Sequence, residues 1–486
     1  PEAERVLVVV PAMLADEAGI APLVAQLERH HLASREAAAQ YALLTDFTDA
    51  DTEQCPGDTP LLAAAREAIE RLEQTHRDPA QPHAPRRFLL LHRPRRWSAS
   101  ERRWIGWERK RGKLEQLIAW LALPEGASPF AELGAASRPR AGTRHLLTLD
   151  ADTQLPAGVL RGLVGVAAHP LNRPRIDPAT RRVVAGHAIL QPRIDLVAPA
   201  RAEATRFHRL FAGPAGHDPY NTAASEVFGD LFDEAAYTGK GLLDVAAVHA
   251  ALGGRLPEGQ VLSHDLLEGT VARCGRVGAL ALAEPAPSHP DVAAARAHRW
   301  SRGDWQLLPL MRRPRRHGIG ALGLWKMADN LRRSLVAPSA LLLLALALAG
   351  IGLAPGAALA LGLAAFGTGP LLGALAGLAP SRDDLAWRHF LRSAGAELGR
   401  ALALVAWQLG MWPRQAASQL GAVALALWRT WVSRRHLLQW TRAELLVAAP
   451  LLRRHGLAPP LAALALAAWL ALGTPAPGLA TALALA

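Results

Sequence analysis

The sequence predicts an α/β domain, a doubly wound sheet covered by helices, followed by a helical region that enters a membrane. Three observations predict it. Short apolar runs alternate with helical stretches over residues 1–330, as parallel βαβ units require. Two of those runs end on a carboxylate. Residues 336–380 then carry no charge, where a single span needs about 20 apolar residues.

Arg5 to Pro11 (Arg-Val-Leu-Val-Val-Val-Pro) reads as a buried parallel strand, followed by a helix over roughly 17–38. Tyr41 to Asp46 is a second strand, residues 60–77 a helix, and Arg87 to His92 a third strand. His145 to Asp150 is a fourth, again ending in acid. Open α/β sheets bind ligands beyond the carboxyl ends of their strands, which is where Asp46 and Asp150 stand. The Gly-rich dinucleotide fingerprint is absent, so nothing points to a nicotinamide cofactor.

In the charge-free stretch, Pro355 and Gly356 separate two segments, 336–354 and 357–379, read as a transmembrane hairpin. An Ala/Leu-rich buried helix pair is the alternative, but neither segment has a polar face. Arg312, Arg313, Arg315, Arg316, Arg332 and Arg333 precede the hairpin and place the α/β domain on the cytoplasmic side. In 385–445, Trp387, Trp407, Trp412, Trp428, Trp431 and Trp440 recur among Arg and Leu, as in helices that lie in the membrane interface; a soluble amphipathic bundle is the alternative. The apolar region 459–486, broken by Pro475 and Pro477, reads as one span and the start of another. The expected organisation is 1–330 α/β domain, 331–380 hairpin, 381–445 interfacial helices and 446–486 further membrane segments. Pro1 stands where an initiator Met would, and the chain stops inside an apolar run, so we expect a piece of a longer protein.

Composition narrows the function. Lys and Arg total 54 against 42 Asp and Glu, a net charge of +12 over 486 residues, and half the chain is hydrophobic. That excludes a disordered polymer. Two cysteines, Cys55 and Cys274, exclude a disulfide scaffold and a cysteine-rich zinc module. The basic excess suits phosphorylated substrates or acidic membranes. No basic stripe interleaved with aromatics appears, so nucleic acid is not an expected partner.

Four motifs carry chemistry. Asp150-Ala151-Asp152, just past a strand, can share a hard divalent cation such as Mg²⁺, although Asp-x-Asp often only caps a helix. Ser263-His264-Asp265 offers an acid suited to a general base, or an N-cap for the helix beginning near Leu266. Arg296 and Arg299 share a helix face and can clamp a diphosphate, with Trp300 beside them as a sugar platform; a solvated basic face is the bland reading. Trp104 to Glu115 contains Arg109, Lys110, Arg111, Gly112 and Lys113 at a helix start, either a phosphate cradle or an ordinary solvated turn. Together, in order with Asp46 and ahead of a membrane hairpin, they suggest a nucleotide-sugar site.

These residues resemble the processive family-2-type membrane glycosyltransferases, with spaced Asp, Asp-x-Asp, Asp and Gln/Arg-x-x-Arg-Trp. More closely they are similar to the family-84 glycosyltransferase domain of cyclic β-1,2-glucan synthases. The carrying segments are Leu44–Phe47, Gly106–Leu114, Leu149–Thr153, Tyr237–Gly241, Leu262–Asp265, Arg299–Leu308 and Ser433–Trp440. The resemblance implies a GT-A-like, Rossmann-like mixed sheet and inverting transfer of glucose from UDP-glucose to a growing glucan, in the bacterial inner membrane. It implies Asp46 on the uracil or ribose, Asp150 on the nucleotide, Asp152 on Mg²⁺ or Mn²⁺, and Asp265 as base. Lys113, Arg296, Arg299 and Trp300 would hold diphosphate and acceptor. It also implies further N-terminal membrane helices and a C-terminal phosphorylase-like region beyond this chain, and a glucan attached to the protein, for which Tyr41, Tyr220 and Tyr237 are the phenolic candidates. The chain departs from the family-2 pattern at Ser263-His264-Asp265, where Thr-Glu-Asp is common, and at Arg296, where Gln is usual. The alternatives are a cellulose- or hyaluronan-like synthase and a non-catalytic membrane transport or binding component.

Overall fold

The chain is described from a computed structural model, over residues 4–80, 84–123, 125–197, 199, 204–211, 227–379 and 386–439. The expected membrane segment 446–486, Trp440 and Tyr220 lie outside these residues.

The first half alternates as expected: β1 (Val6–Leu14), α1 (Ile20–Ala33), β2 (Ala39–Phe47), α2 (Asp58–His76) and β3 (Phe88–Arg93). A small hairpin, β4 (Arg96–Ser98) and β5 (Arg103–Ile105), precedes α3 (Arg109–Ala122) and β6 (His145–Thr148). Then come α4 (Val159–Ala168), a second hairpin of β7 (Arg175–Asp177) and β8 (Arg182–Ala185), β9 (Ile189–Val197), α5 (Arg206–Phe211) and α6 (Val227–Phe232). The domain closes with β10 (Gly241–Asp244), α7 (Val245–Leu252), α8 (Asp265–Val271), β11 (Cys274–Pro285) and α9 (Pro290–Gln306). The helical part is α10 (Leu308–Met311), α11 (Ala321–Leu348), α12 (Pro355–Ala376) and α13 (Trp387–Leu427).

Seven strands form one sheet in the order β11-β9-β10-β6-β1-β2-β3. β1, β2, β3 and β6 are parallel, whereas β10 runs antiparallel to both β6 and β9, so the sheet is mixed. Side chains alternate across it, as a pleat dictates. Val6, Val8 and Val10 of β1 pack on one face with Leu27 of α1, Ile69 of α2 and Leu160 of α4. Leu7 and Val9 pack on the other with Leu117 of α3 and Val248 of α7. Fully burying one such side chain stabilises by roughly 1.5–3 kcal/mol, so both faces anchor the strand ends that carry the acids.

β2 and β6 flank β1 on opposite sides, so the chain changes winding direction there. The crevice beyond β1 therefore opens between the end of β2, which carries Asp46, and Asp150, just past β6.

Two helices, α11 and α12, are long and apolar enough to cross a membrane by length and composition. α11 begins 15 residues before the expected start at 336, and it runs unbroken through 330, the expected domain boundary. The region expected to hold several interfacial helices is one 41-residue helix, α13, with Pro413 inside it. α13 packs on α9, α11 and α12, with Trp412 buried against Ala337 and Ala358.

Candidate active site

Asp150 and Thr153 close a tight turn: Thr153 N donates to Asp150 O (3.1 Å), and Asp150 N donates to Thr153 Oγ1 (3.2 Å). Gln154 and Ala283 exchange backbone hydrogen bonds of 2.7 and 3.1 Å, which pins this turn to β11. Thr153 Oγ1 then donates to Glu284 Oε1 (2.7 Å). The result brings Asp150, Asp152 and Glu284 together, with one carboxylate oxygen from each lying within 4.8 Å of the others.

Two lysines balance this triad. Lys240 Nζ lies 3.2 Å from Asp150 Oδ2 and 3.0 Å from Glu284 Oε1. Lys110 pairs with Asp150 Oδ1 and donates to Gly239 O (3.0 Å). Burial pushes the Asp150 carboxyl up, but the two ammonium groups outweigh it and hold it well below the ordinary range. Asp152 moves the other way: burial, then repulsion by Asp150 and Glu284, raises it above the usual carboxylate value. Its nearest cation is Arg296, Nη2 to Oδ2 3.7 Å. Three convergent carboxylates, one still under like-charge repulsion, fit a hard divalent cation with oxygen ligands.

α9 supplies the arginines. Arg299, one turn beyond Arg296, is pulled below the ordinary guanidinium value by burial and then by Arg296, while Asp150 and Asp265 oppose the fall. Arg299 therefore lies within the field of both acids. Trp300 follows it with 42% of its surface exposed.

Asp265 opens α8, and His264 at the N-cap makes no side-chain capping bond. His264 Nδ1 stands 3.0 Å from Glu268 Oε1 and 3.4 Å from Asp265 Oδ1, without hydrogen-bond alignment to either. Burial lowers His264, but Glu268 and Asp265 outweigh it and raise the imidazole above its usual value. Asp265 Oδ1 is a buried oxygen with no hydrogen-bond partner among the described residues. It abuts Gly239, whose carbonyl takes Lys110, so Asp265 borders the same crevice as Asp150.

Asp46 and Lys113 are both buried and paired. Asp46 is 4% exposed and forms a bidentate pair with Arg93 (2.7 and 3.0 Å) and an ion pair with Lys113 Nζ (2.9 Å). Lys113, 3% exposed, also donates to Ala12 O (2.8 Å) and Leu44 O (3.4 Å). These contacts tie α3 to the ends of β1 and β2. Burial raises Asp46, and Lys113 and Arg93 outweigh it, leaving the carboxyl lowered. Of the phenolic candidates, Tyr41 and Tyr237 are buried, at 0% and 2% exposure.

The structure thus brings Asp150, Asp152, Asp265, Arg296 and Arg299 to one crevice and adds Lys110, Lys240 and Glu284. Glu284 ends an apolar run, Ala281-Leu282-Ala283, the same signal that marked Asp46 and Asp150.

No family model matches this chain. The chain is 39% identical over 444 residues to the curated "Cyclic beta-(1,2)-glucan synthase NdvB" of Rhizobium meliloti (strain 1021). That match covers 91% of this chain and 15% of the relative, so the chain spans a small part of that protein's length. Among solved structures, the mannosyltransferase PcManGT from Pyrobaculum calidifontis, in complex with GDP-Man and Mn²⁺, aligns over 89% of this chain and 88% of its own. Its TM-score of 0.39 and 15% identity are too low to bear on fold or chemistry.

Proposed function

We propose that this chain is the membrane-bound glycosyltransferase region of a cyclic β-1,2-glucan synthase, an inverting, processive, GT-A-like enzyme that takes glucose from UDP-glucose. The observation that carries the reading is the unsatisfied Asp265 Oδ1, set across one crevice from the carboxylate triad and Arg299. The 39% identity to a named glucan synthase supports the same class.

Asp150, Asp152 and Glu284 would hold Mg²⁺ or Mn²⁺, which supplies charge neutralisation for a diphosphate leaving group when bound. Arg296 and Arg299 donate to the diphosphate oxygens and stabilise charge as it develops on UDP. Asp265 accepts the proton of the attacking acceptor hydroxyl. That hydroxyl oxygen bonds to the anomeric carbon as the carbon–phosphate oxygen bond breaks. A single displacement turns the α-linked donor into a β-linkage. Trp300, exposed beside Arg299, offers an apolar face to the acceptor sugar. Asp46 and Lys113 act from behind, as a positioning pair. α11 and α12 would cross the inner membrane with the crevice on the cytoplasmic side.

The test is transfer from labelled UDP-glucose in membranes, with Mg²⁺ and with chelator, followed by linkage analysis of the product. Chelator-sensitive β-1,2-glucan is expected. Asp265→Asn is expected to abolish transfer while leaving UDP binding intact. Another linkage would move the assignment to a cellulose- or hyaluronan-like synthase, and polymerisation retained by Asp265→Asn would place the base elsewhere.

A further inference from the structure

Where the α/β domain hands over to α11, Arg312, Arg313, Arg316, His317 and Trp431 line a cavity of about 400 Å³, within the range of small-ligand sites. It is separate from the carboxylate triad and from Asp265: none of those residues lines it.

All three arginines are exposed, and among the described residues none of them has a carboxylate partner. Arg312 stacks on the Trp431 ring, 4.7 Å from the centroid, which fixes one guanidinium against a flat wall. Glu258, beside the lining residues Pro257 and Gln260, accepts from Trp107 Nε1 (2.6 Å) and forms no ion pair with these arginines. His317 Nδ1 is a buried ring nitrogen with no hydrogen-bond partner among the described residues. Adjacent guanidiniums repel unless an anion is shared among them, and unpaired donors in a cavity call for an acceptor.

We propose that this cavity binds a phosphate group. Guanidiniums bind phosphate oxygens in bidentate fashion, and three on one wall exceed what a single carboxylate satisfies. The group has two chemical sources: an anionic phospholipid headgroup reaching in from the bilayer beside α11, or a free inorganic anion.

The experiment is calorimetric titration of the full chain in neutral detergent with three probes: dioctanoyl phosphatidylglycerol, dioctanoyl phosphatidylcholine and inorganic phosphate. Saturable, salt-sensitive binding of phosphatidylglycerol alone assigns the lipid source. Saturable binding of inorganic phosphate assigns the free anion. In either case Arg312→Gln/Arg313→Gln/Arg316→Gln is expected to weaken binding at least tenfold, and its circular dichroism should match the parent chain. A control, Arg66→Gln/Arg71→Gln on the exposed face of α2, should leave the affinity unchanged. The proposal is overturned if neither anion saturates, if phosphatidylcholine binds as well as phosphatidylglycerol, or if the control loses as much as the cavity variant.

Discussion

At Gly239 the backbone adopts φ +83°, and a Cβ there would meet Asp265 Oδ1 at 2.7 Å. Only glycine accepts that conformation freely and lets the chain pass so close to the proposed base. Gly239→Ala should therefore displace Asp265. The expected result is a loss of transfer of at least tenfold, with a stability cost of about 1–3 kcal/mol; a normal rate would show that Asp265 is not held by this contact. Lys113 makes the opposite case. It is buried beside Asp46, which keeps its Arg93 partner when Lys113 is removed, but one carboxylate oxygen and the carbonyls of Ala12 and Leu44 lose a buried donor, at a cost of about 1–3 kcal/mol. Lys113→Met should destabilise the α/β domain by that amount in urea unfolding followed by Trp fluorescence. Asp46→Leu should cost more than Lys113→Met, because it leaves Arg93 and Lys113 both buried without their carboxylate. A residue that merely bound diphosphate would leave stability unchanged. Sequence alone separated these roles poorly. Asp46, Asp150, Lys110 and Lys113 look alike as charges near strand ends, and only the approach of Arg93 and the carbonyls of Ala12 and Leu44 commits one pair to the interior.

Among elements, legibility followed burial. β1, β2, β3 and β6 are continuous apolar runs buried on both faces, and such runs announce themselves. β10 has four residues, β9 contains Pro192, Arg193 and Asp195, and β11 carries a register shift between Val277 and Ala281, so none showed a clean pattern. Glu284 was missed with its strand. The start of α11 was hidden because Asp329, Arg332 and Arg333 read as a flank, whereas they form i,i+3 and i,i+4 ion pairs on an amphipathic first half. That half meets α9: Trp305 Nε1 donates to Ser334 Oγ (2.8 Å), and Asn330 Nδ2 donates to Asp304 Oδ1 (3.4 Å). Burial in this contact pushes the Asp304 carboxyl up to about 7, against the Asn330 bond and Arg333. Unfolded, an Asp titrates near 3.9. Between about pH 4 and 7 the folded chain therefore holds a proton that the unfolded chain has released, so this group makes stability fall as pH rises through that window. Asp304→Asn should abolish that component. The expected gain over the parent chain is about 4 kcal/mol at pH 8 and near zero at pH 4. An equal gain at both pH values would mean that Asp304 is ionised throughout.

At the scale of the molecule, the crevice and the hairpin must share one geometry if a polymer made at the first is to meet a membrane at the second. α9 carries Arg296 and Arg299 on the crevice and packs directly on α11 and α13. Arg414 of α13 pairs with Asp291 of α9, and Ser301 donates to Gln419 of α13 (2.5 Å). The segment after α13 returns to the α/β domain: Leu438 N donates to Glu101 Oε1 (2.8 Å), and Arg109 Nε donates to Leu438 O (3.2 Å). Six arginines stand between α9 and the charge-free stretch, whereas the turn between α11 and α12 has none. If α11 and α12 cross as proposed, the positive-inside rule would place the α/β domain in the cytoplasm and that turn on the opposite side. Cys55, partly exposed on the α/β domain, and a cysteine introduced at Ile351, 59% exposed in the turn, report the two sides. Cys274 is buried and silent. In intact spheroplasts a membrane-impermeant maleimide should label Ile351→Cys at once, and Cys55 only after permeabilisation. If both sites wait for permeabilisation, α11 and α12 do not cross, and the proposed route from crevice to membrane is lost with them.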